Sequence, residues 1–193
     1  MKIYFKTLVL ISSFFFGYIC NGWSSELQKV IETFENDNSI VSLKKLRSLG
    51  EDGDARAQNF LGFIHYKGKG VPQDYKTVIK WYNLSAKQGN HLAQYNLGIM
   101  YSFGLGVVPD YKIALKWYTL SAENGNDLAQ YNLGRLYYLG NGVKEDLLHA
   151  YMWINLSSLN GFKMAIELKL LITELMSSYQ IDAAEKLTRI CIK

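Results

Sequence analysis

The sequence predicts an all-α protein, an α-solenoid in which short helices stack in pairs. The first observation is self-similarity with a period of 36 residues, which brings segments 55–90, 91–126 and 127–162 into register without a gap. The second is that the glycines recur at fixed intervals instead of clustering in a linker. The third is apolar residues at spacings of three and four, which indicate helices. A period between 20 and 50 residues is typical of stacked repeats.

The repeated positions are small, polar and aromatic residues in a constant order. Half of the positions are identical between the first two copies, a degree of agreement that chance does not produce. A single copy could not bury its apolar face alone, so neighbouring copies must stack. The repeated columns are Ala57, Ala93 and Ala129; Gln58, Gln94 and Gln130; Leu61, Leu97 and Leu133; Gly62, Gly98 and Gly134; Asp74, Asp110 and Asp146; Trp81, Trp117 and Trp153; and Gly89, Gly125 and Gly161.

The first helix of each copy is predicted from an apolar face and a glycine stop signal. In copy one it extends from about Ala57 to Lys67, with Leu61 and Ile64 on one face. Gly62 lies within this helix and would allow a neighbouring helix to approach closely. A Gly-x-Gly sequence then ends the helix.

The second helix of copy one is predicted to begin at Asp74, whose carboxylate can accept hydrogen bonds from the free amides of the first turn. It continues to Gln88, and Gly89 ends it. Trp81 and Ala86 lie on the face towards the core, where a large and a small side chain can interdigitate.

The flanks of the repeats are predicted to be capping helices. Residues 23–54 hold two of them, and the second (39–53) is a degenerate half repeat with Lys45 in the tryptophan column. Residues 163–193 hold two more, of which 165–176 resembles a further first helix. Such atypical ends are typical of solenoids, which need polar caps for solubility.

Residues 1–22 are predicted to be a cleavable signal peptide. Lys2 and Lys6 precede an apolar run at 7–19, and a polar stretch follows at once. The run is shorter than the roughly 20 residues that a membrane-spanning helix needs. We therefore expect an exported protein, either periplasmic or secreted, without stable membrane insertion after cleavage.

Three alternatives for this segment stay open. Cleavage could follow Ser24 instead of Gly22, because small residues precede both positions. The segment could also remain as an uncleaved anchor. A lipid could be attached at Cys20, although Tyr18 and Ile19 stand where such attachment favours small residues.

Charge and cysteine content narrow the class of partner. Loss of Lys2 and Lys6 with the signal peptide takes the formal charge from +4 to +2. No dense block of lysine and arginine exists, so we expect no nucleic-acid partner. Cleavage also leaves Cys191 as the one cysteine, which excludes an intramolecular disulfide. Cys191 is interpreted as a small buried apolar residue, with a reactive or intermolecular thiol as the alternative.

The motifs of the repeat resemble the Sel1-like repeat, a relative of the tetratricopeptide repeat. They read Ala-Gln-x-x-Leu-Gly, Gly-x-Gly-Val, Asp-Tyr, Trp-Tyr, Ser-Ala and Gly-Asn, and they cover residues 55–162. The resemblance implies a right-handed superhelix of antiparallel helix pairs that recruits partners on its concave face. Members act as adaptors in bacterial host interaction and signalling. The sequence departs from the pattern at His65, Ile154 and Ser158, which affects local packing only.

The polar residues of the chain give no constellation for catalysis or for a cofactor. His65, His91 and His149 lack partners at metal-ligand spacing, and His65 is interpreted as a half-buried packing residue. The Gly-x-Gly elements follow helices and lack the later glycine and lysine of a phosphate loop. The aspartate column is explained by helix capping. We therefore expect no catalytic residue, no metal and no cofactor.

The resemblance also implies where a partner would bind. If the groove positions match those of the tetratricopeptide relative, they lie at −3, +1, +4 and +5 from the glycine column of each first helix. These positions vary between copies and form an aromatic groove in which Lys67 and Arg135 can pair with carboxylates. The alternative is an ordinary mixed surface. The twelve residues are Asn59, Phe63, Tyr66, Lys67, Tyr95, Ile99, Ser102, Phe103, Tyr131, Arg135, Tyr138 and Leu139.

Three hypotheses for function follow. The first is a monomeric adaptor that binds a protein or peptide through this groove. The second is a hydrolase acting on cell-wall-related compounds, an activity credited to cysteine-rich members of the resembling family. The lack of cysteine pairs and of a nucleophile beside a base argues against it. The third is a structural protein that associates with itself through an imperfect cap.

Overall fold

The computed structural model describes residues 25–191, and these form ten α-helices arranged in sequential antiparallel pairs. The predicted signal peptide lies outside the described residues. Within the described range, no helix is both long and apolar enough to cross a membrane. The helices are α1 (Ser25–Asp37), α2 (Ile40–Glu51), α3 (Ala55–Lys67), α4 (Tyr75–Lys87), α5 (His91–Phe103), α6 (Tyr111–Glu123), α7 (Asp127–Leu139), α8 (Leu147–Leu159), α9 (Lys163–Glu174) and α10 (Ser178–Cys191).

The aspartate column caps the second helix of every copy, as predicted. The side chains of Asp74, Asp110 and Asp146 each accept a hydrogen bond from backbone amides of the first turn of α4, α6 and α8. Asp54, Asn90 and Asn126 do the same for the first helices. Each such cap stabilises its helix by roughly 1 kcal/mol.

Left-handed glycines end the first helices. Gly68, Gly104 and Gly140 follow α3, α5 and α7 with φ values of 66°, 68° and 67°. A residue with a Cβ is strained in this conformation, so glycine is required to turn the chain towards the second helix.

The glycine column inside the first helices sets the distance within each helix pair. A Cβ atom at Gly62 would lie 2.5 Å from the ring of Tyr82, and one at Gly98 would lie 2.5 Å from the ring of Tyr118. Gly134 has the same role in the third copy, where an isoleucine replaces the tyrosine. The close approach inferred from the sequence is confirmed, and its cause is a side chain of the second helix, aromatic in two copies and isoleucine in the third, that fills the space of the missing side chain.

The glutamine column joins each first helix to the preceding second helix. The side-chain amides of these buried residues donate hydrogen bonds to backbone carbonyls near the end of the preceding helix. Each of these carbonyls also accepts a hydrogen bond from the backbone amide of Gly53, Gly89 or Gly125, so the glutamine adds a second donor at each junction. The bonds are Gln58 to Gly50 (2.8 Å), Gln94 to Ala86 (3.2 Å) and Gln130 to Ala122 (3.3 Å).

The side-chain oxygen atoms of these glutamines have different hydrogen bonding in the three copies. The Oε1 atom of Gln58 accepts a hydrogen bond of 2.8 Å from Gln88. The equivalent oxygens of Gln94 and Gln130 are buried and accept no hydrogen bond within the described part of the protein. The reason is the residue that aligns with Gln88. In the second copy it is Asn124, one methylene shorter, which donates instead to the carbonyl of Leu120 at 2.7 Å.

Replacing Asn124 by glutamine is therefore expected to stabilise the protein. The longer amide can reach Gln94 as Gln88 reaches Gln58, and satisfying a buried acceptor should raise the free energy of unfolding by about 1 kcal/mol. Urea denaturation followed by circular dichroism measures the change. The matched control, Gln88→Asn, should lower the free energy of unfolding by a similar amount. Equal midpoints for the native protein and both variants would contradict this account.

The C-terminal helices enclose α8. Residues 150–157 are all buried, because α8 is apolar around its whole circumference and contacts α7, α9 and α10. Sequence reasoning interpreted α9 as a further first helix with α10 closing the stack. Instead, α10 packs more extensively against α8 than against α9, and Thr188 lies 3.4 Å from Asn155. The side chain of Cys191 is outside the described part, so its interpretation stays a prediction.

His65 is half-buried, as predicted for a residue in an aromatic column. Burial is the main factor that lowers its pKa, and the nearby Arg47 guanidinium adds to the effect. Its Nδ1 atom is buried without a hydrogen-bond partner. The imidazole is thus held neutral and serves packing.

Candidate functional site

The twelve groove positions on α3, α5 and α7, here called the first-helix surface, differ widely in exposure. Lys67, Phe103 and Leu139 are exposed, and Tyr131 is buried with only 9% of its surface accessible. The other eight are half-buried. A partner could therefore reach the C-terminal ends of these helices most easily, since that is where the three exposed residues lie.

The C-terminal end of α3 presents a lysine above two aromatic rings. The Nζ atom of Lys67 lies 5.8 Å from the ring centroid of Phe63 and 5.7 Å from that of Tyr66. Such contacts are attractive because the faces of aromatic rings are electron-rich. The ring of Tyr66 also lies 6.2 Å from that of Tyr75, at the start of α4. The ammonium group is thereby held over an aromatic platform.

Residues at the N-terminal ends of the first helices hold neighbouring copies together. Asn96 on α5 donates a hydrogen bond of 3.3 Å to Asn59 on α3. Tyr95 packs against Tyr118 with ring centroids 6.0 Å apart, and the side chain of Asn132 on α7 partly offsets the rise in the pKa of its hydroxyl. Burial, together with the nearby tyrosine, raises the pKa of Tyr95 above its usual range. Asn59 and Tyr95 thus contribute to the stacking of the repeats.

A pocket of about 70 Å³ opens between α5 and α7, and we call it the α5–α7 pocket. It brings together four of the predicted groove residues from two copies. Its volume suits one side chain of a partner and is far below the roughly 300 Å³ of a small-molecule site. The residues around it are Ser102, Phe103, Tyr111, Tyr118, Asn132, Arg135, Leu136, Leu139 and Asn141.

Arg135 supplies the only formal charge among the residues that line this pocket. Its guanidinium lies 5.7 Å from the ring centroid of Tyr131, and its positive charge also acts on the Tyr118 hydroxyl. No ion pair joins Arg135 to a carboxylate anywhere in residues 25–191. Arginine donates several N–H groups in a plane that matches a carboxylate. The pocket therefore combines an available cation with a mixed lining, in which Phe103, Leu136 and Leu139 supply the apolar part.

The base of the pocket is fixed by the core. Tyr118 is 1% exposed, and its hydroxyl oxygen lies 3.3 Å from Ser102 Oγ, which donates the hydrogen bond. The net effect of its surroundings, in which burial is the largest cause, is to raise the pKa of Tyr118. The hydroxyl is thus neutral at physiological pH.

The other predicted groove residues lie outside the pocket. Ile99 packs against a core cluster between the second and third copies, and Tyr138 packs against the cluster around α8. The ring of Tyr131 packs edge-on against Phe162 at a centroid distance of 5.1 Å. Tyr131 therefore mainly supports the fold beneath Arg135.

Sequence reasoning missed five residues of the pocket. Tyr111 and Leu136 come from positions that it assigned to helix starts and to the core, and Tyr118 belongs to the aromatic column that fills the glycine space. Asn132 lies next to the predicted position Tyr131, and Asn141 is the middle residue of the Gly-x-Gly sequence that follows α7. Adjacency in the sequence was a usable signal for two of the five, because Asn132 and Leu136 directly follow Tyr131 and Arg135.

The Sel1 repeat matches three consecutive segments of this chain, residues 55–90, 91–126 and 127–162. Together these segments cover more than half of the chain. The protein belongs to the Sel1 repeat family. The resemblance inferred from the repeat motifs is thus confirmed. No curated protein matches the chain significantly.

Two solved structures resemble this Sel1 repeat protein. A crystal structure of c5321, a protective antigen present in uropathogenic Escherichia coli strains and displaying an SLR fold, is 36% identical with a TM-score of 0.63. That match covers 64% of this chain and 26% of the antigen. A Sel1 repeat protein from Oxalobacter formigenes is 28% identical with a TM-score of 0.71, covering 75% of this chain and 60% of that one. The chain thus spans about a quarter of the first protein's length.

Proposed function

We propose that this Sel1 repeat protein is an exported protein-interaction module that binds a segment of another protein at the α5–α7 pocket. The observation that carries the proposal is the guanidinium of Arg135, which lines a pocket together with the apolar residues Phe103 and Leu139 and is joined to no carboxylate within the described residues. The segment it suits presents an apolar side chain next to a carboxylate.

The surroundings of the pocket favour a protein partner over a small molecule. Phe103 and Leu139 are 56% and 52% exposed at its rim, and aromatic residues and arginine are enriched in protein–protein interfaces. Lys67 offers a second cation along the same helix ends, above its aromatic platform. An extended acidic and apolar segment could contact both.

One of the two related structures supports a role outside the cytoplasm. The E. coli protein is described as a protective antigen of uropathogenic strains. Together with the signal peptide predicted at 1–22, this favours a protein of the bacterial envelope or of the host interface.

A capture experiment with matched variants tests the proposal. The native chain is immobilised and exposed to bacterial envelope fractions and host lysates, beside Arg135→Ala and Phe103→Ala. Each substitution should reduce the retained partner by about fivefold or more, equivalent to roughly 1 kcal/mol of binding free energy. Lys116→Ala removes an exposed cation from α6, outside the pocket, and should retain the partner fully.

Circular dichroism must show that all four proteins are folded. A partner retained equally by the native chain and by both pocket variants would overturn this location. Capture of no protein by the native chain would overturn the interaction module itself.

A further inference from the structure

Helix α9 presents large apolar side chains to solvent. Four residues of the helix and the residue that follows it are between 43% and 63% exposed, a concentration that isolated surface residues do not produce. Contiguous exposed apolar surface of this kind marks interaction sites. The five residues are Met164, Ile166, Leu170, Leu171 and Leu175.

The path of α10 explains why this surface is uncovered. Leu170 aligns with the glycine column, where each repeat packs its second helix over the first. After α9 the chain does not follow that arrangement, because α10 packs mainly against α8. As a result Leu170 is 63% exposed where its counterpart Gly134 is buried.

The exposed side of α9 has an ordered pattern. At 100° per residue, a ridge of charged residues runs along its middle, with an apolar edge on either side. The ridge is formed by Lys163, Glu167 and Glu174, one edge by Met164, Leu171 and Leu175, and the other edge by Ile166 and Leu170.

This pattern is complementary to itself when two copies of α9 lie antiparallel. The twofold axis is perpendicular to the plane that contains both helices and passes near the level of residues 168 and 169. Each apolar edge then faces the same edge of the second copy, running in the opposite direction. Lys163 then lies opposite Glu174 of the second copy. On one edge Ile166 faces Leu170, and on the other edge Met164 faces Leu175.

We propose that this surface binds a second copy of the chain, so that α9 and its counterpart form an antiparallel, twofold-symmetric dimer. Two Lys163–Glu174 ion pairs and two apolar edges would be formed at once. Neither charged residue has an ion-pair partner among the described residues. The same axis brings Glu167 of the two copies towards each other, and Lys163, one turn away on the same ridge, offsets this repulsion.

The size of the surface sets the expected strength. One helix face is smaller than the roughly 800 Å² per partner of standard interfaces. The dimer should therefore be weak, with a dissociation constant of order micromolar. The pocket between α5 and α7 lies on other helices, so the dimer does not depend on the proposed function. The chain is thus inferred to dimerise, in place of the monomer expected from the sequence.

Sedimentation velocity across a wide range of concentrations tests the dimer. The native protein should shift from monomer to dimer as its concentration rises. Leu170→Glu places a charge in one apolar edge and should weaken association at least about tenfold. Its control, Val108→Glu, changes an apolar residue that is 84% exposed in the α5–α6 loop and should associate like the native protein.

A charge exchange tests the antiparallel arrangement. Lys163→Glu and Glu174→Lys should each weaken association, because each puts like charges opposite one another. The double variant restores both ion pairs with reversed sign and should dimerise like the native protein. Both positions are exposed, so the fold should tolerate these changes.

Three outcomes would overturn the proposal. These are a native protein that stays monomeric at every concentration, oligomers that grow beyond the dimer, and a double variant that dimerises no more strongly than the single variants.

Discussion

Replacing Gly98 by valine should lower the free energy of unfolding by about 3 kcal/mol. The new Cβ would lie 2.5 Å from two ring atoms of Tyr118, and further methyl groups would add to the overlap. That ring is 1% exposed and packed between α5 and α6, so relieving the overlap would disturb close-packed core side chains. Urea denaturation monitored by circular dichroism measures the loss.

Two further variants separate overlap from helix propensity. Lys116→Val, at an exposed position of α6, measures the cost of valine in a helix and should change stability by only about 0.5 kcal/mol. In a Tyr118→Ala background, Gly98→Val should cost far less than in the native protein, because the ring that it meets is gone. Equal costs in the two backgrounds would refute the assigned contact.

Replacing Tyr131 by alanine should lower the free energy of unfolding by about 3 kcal/mol. The side chain is 91% buried, meets Phe162 edge-on and lies beneath the guanidinium of Arg135. The variant removes most of a buried aromatic residue between α7 and the start of α9, so a cavity is left. Thermal and urea unfolding would both measure the change.

Phe103→Ala is the matched comparison, because it removes an aromatic ring of similar size that is 56% exposed. Its unfolding free energy should change by less than about 1 kcal/mol. If Tyr131→Ala proved as stable as Phe103→Ala, then Tyr131 would be a surface residue of the groove, as its repeat position alone predicts. The comparison therefore decides between a structural and a binding role for this tyrosine.

Local signals were sufficient to predict the repeat fold. Asp74 and Asp110 cap helices because carboxylates satisfy free amides, and Gly68 ends α3 because it adopts a left-handed conformation. These effects involve residues close in sequence. The course of α10 could not be predicted in this way, because it depends on α8 being apolar on every side, which draws α10 away from α9.

The candidate site was only partly accessible from the sequence. Repeat position placed Phe103 and Arg135 on the correct helices, but it did not show that they share a pocket. It also assigned Tyr131 to the groove. Position in the repeat predicts the direction of a side chain, but it does not predict which neighbouring residues cover that side chain. Phe162, which covers this ring, is the last residue of the third copy and replaces the asparagine that Asn90 and Asn126 provide in the first two copies.

The hydrogen bonds at the repeat junctions bear on how this protein could have evolved. The second and third copies bond through glutamine to an alanine carbonyl in the same way, and both copies begin behind a capping asparagine. A duplicated segment 91–126 would meet the same chemistry at both of its borders. Gain or loss of whole 36-residue units would therefore leave every junction intact. The number of repeats can therefore change without disrupting the stack. The E. coli antigen, of which this chain covers 26%, is consistent with such a change in length.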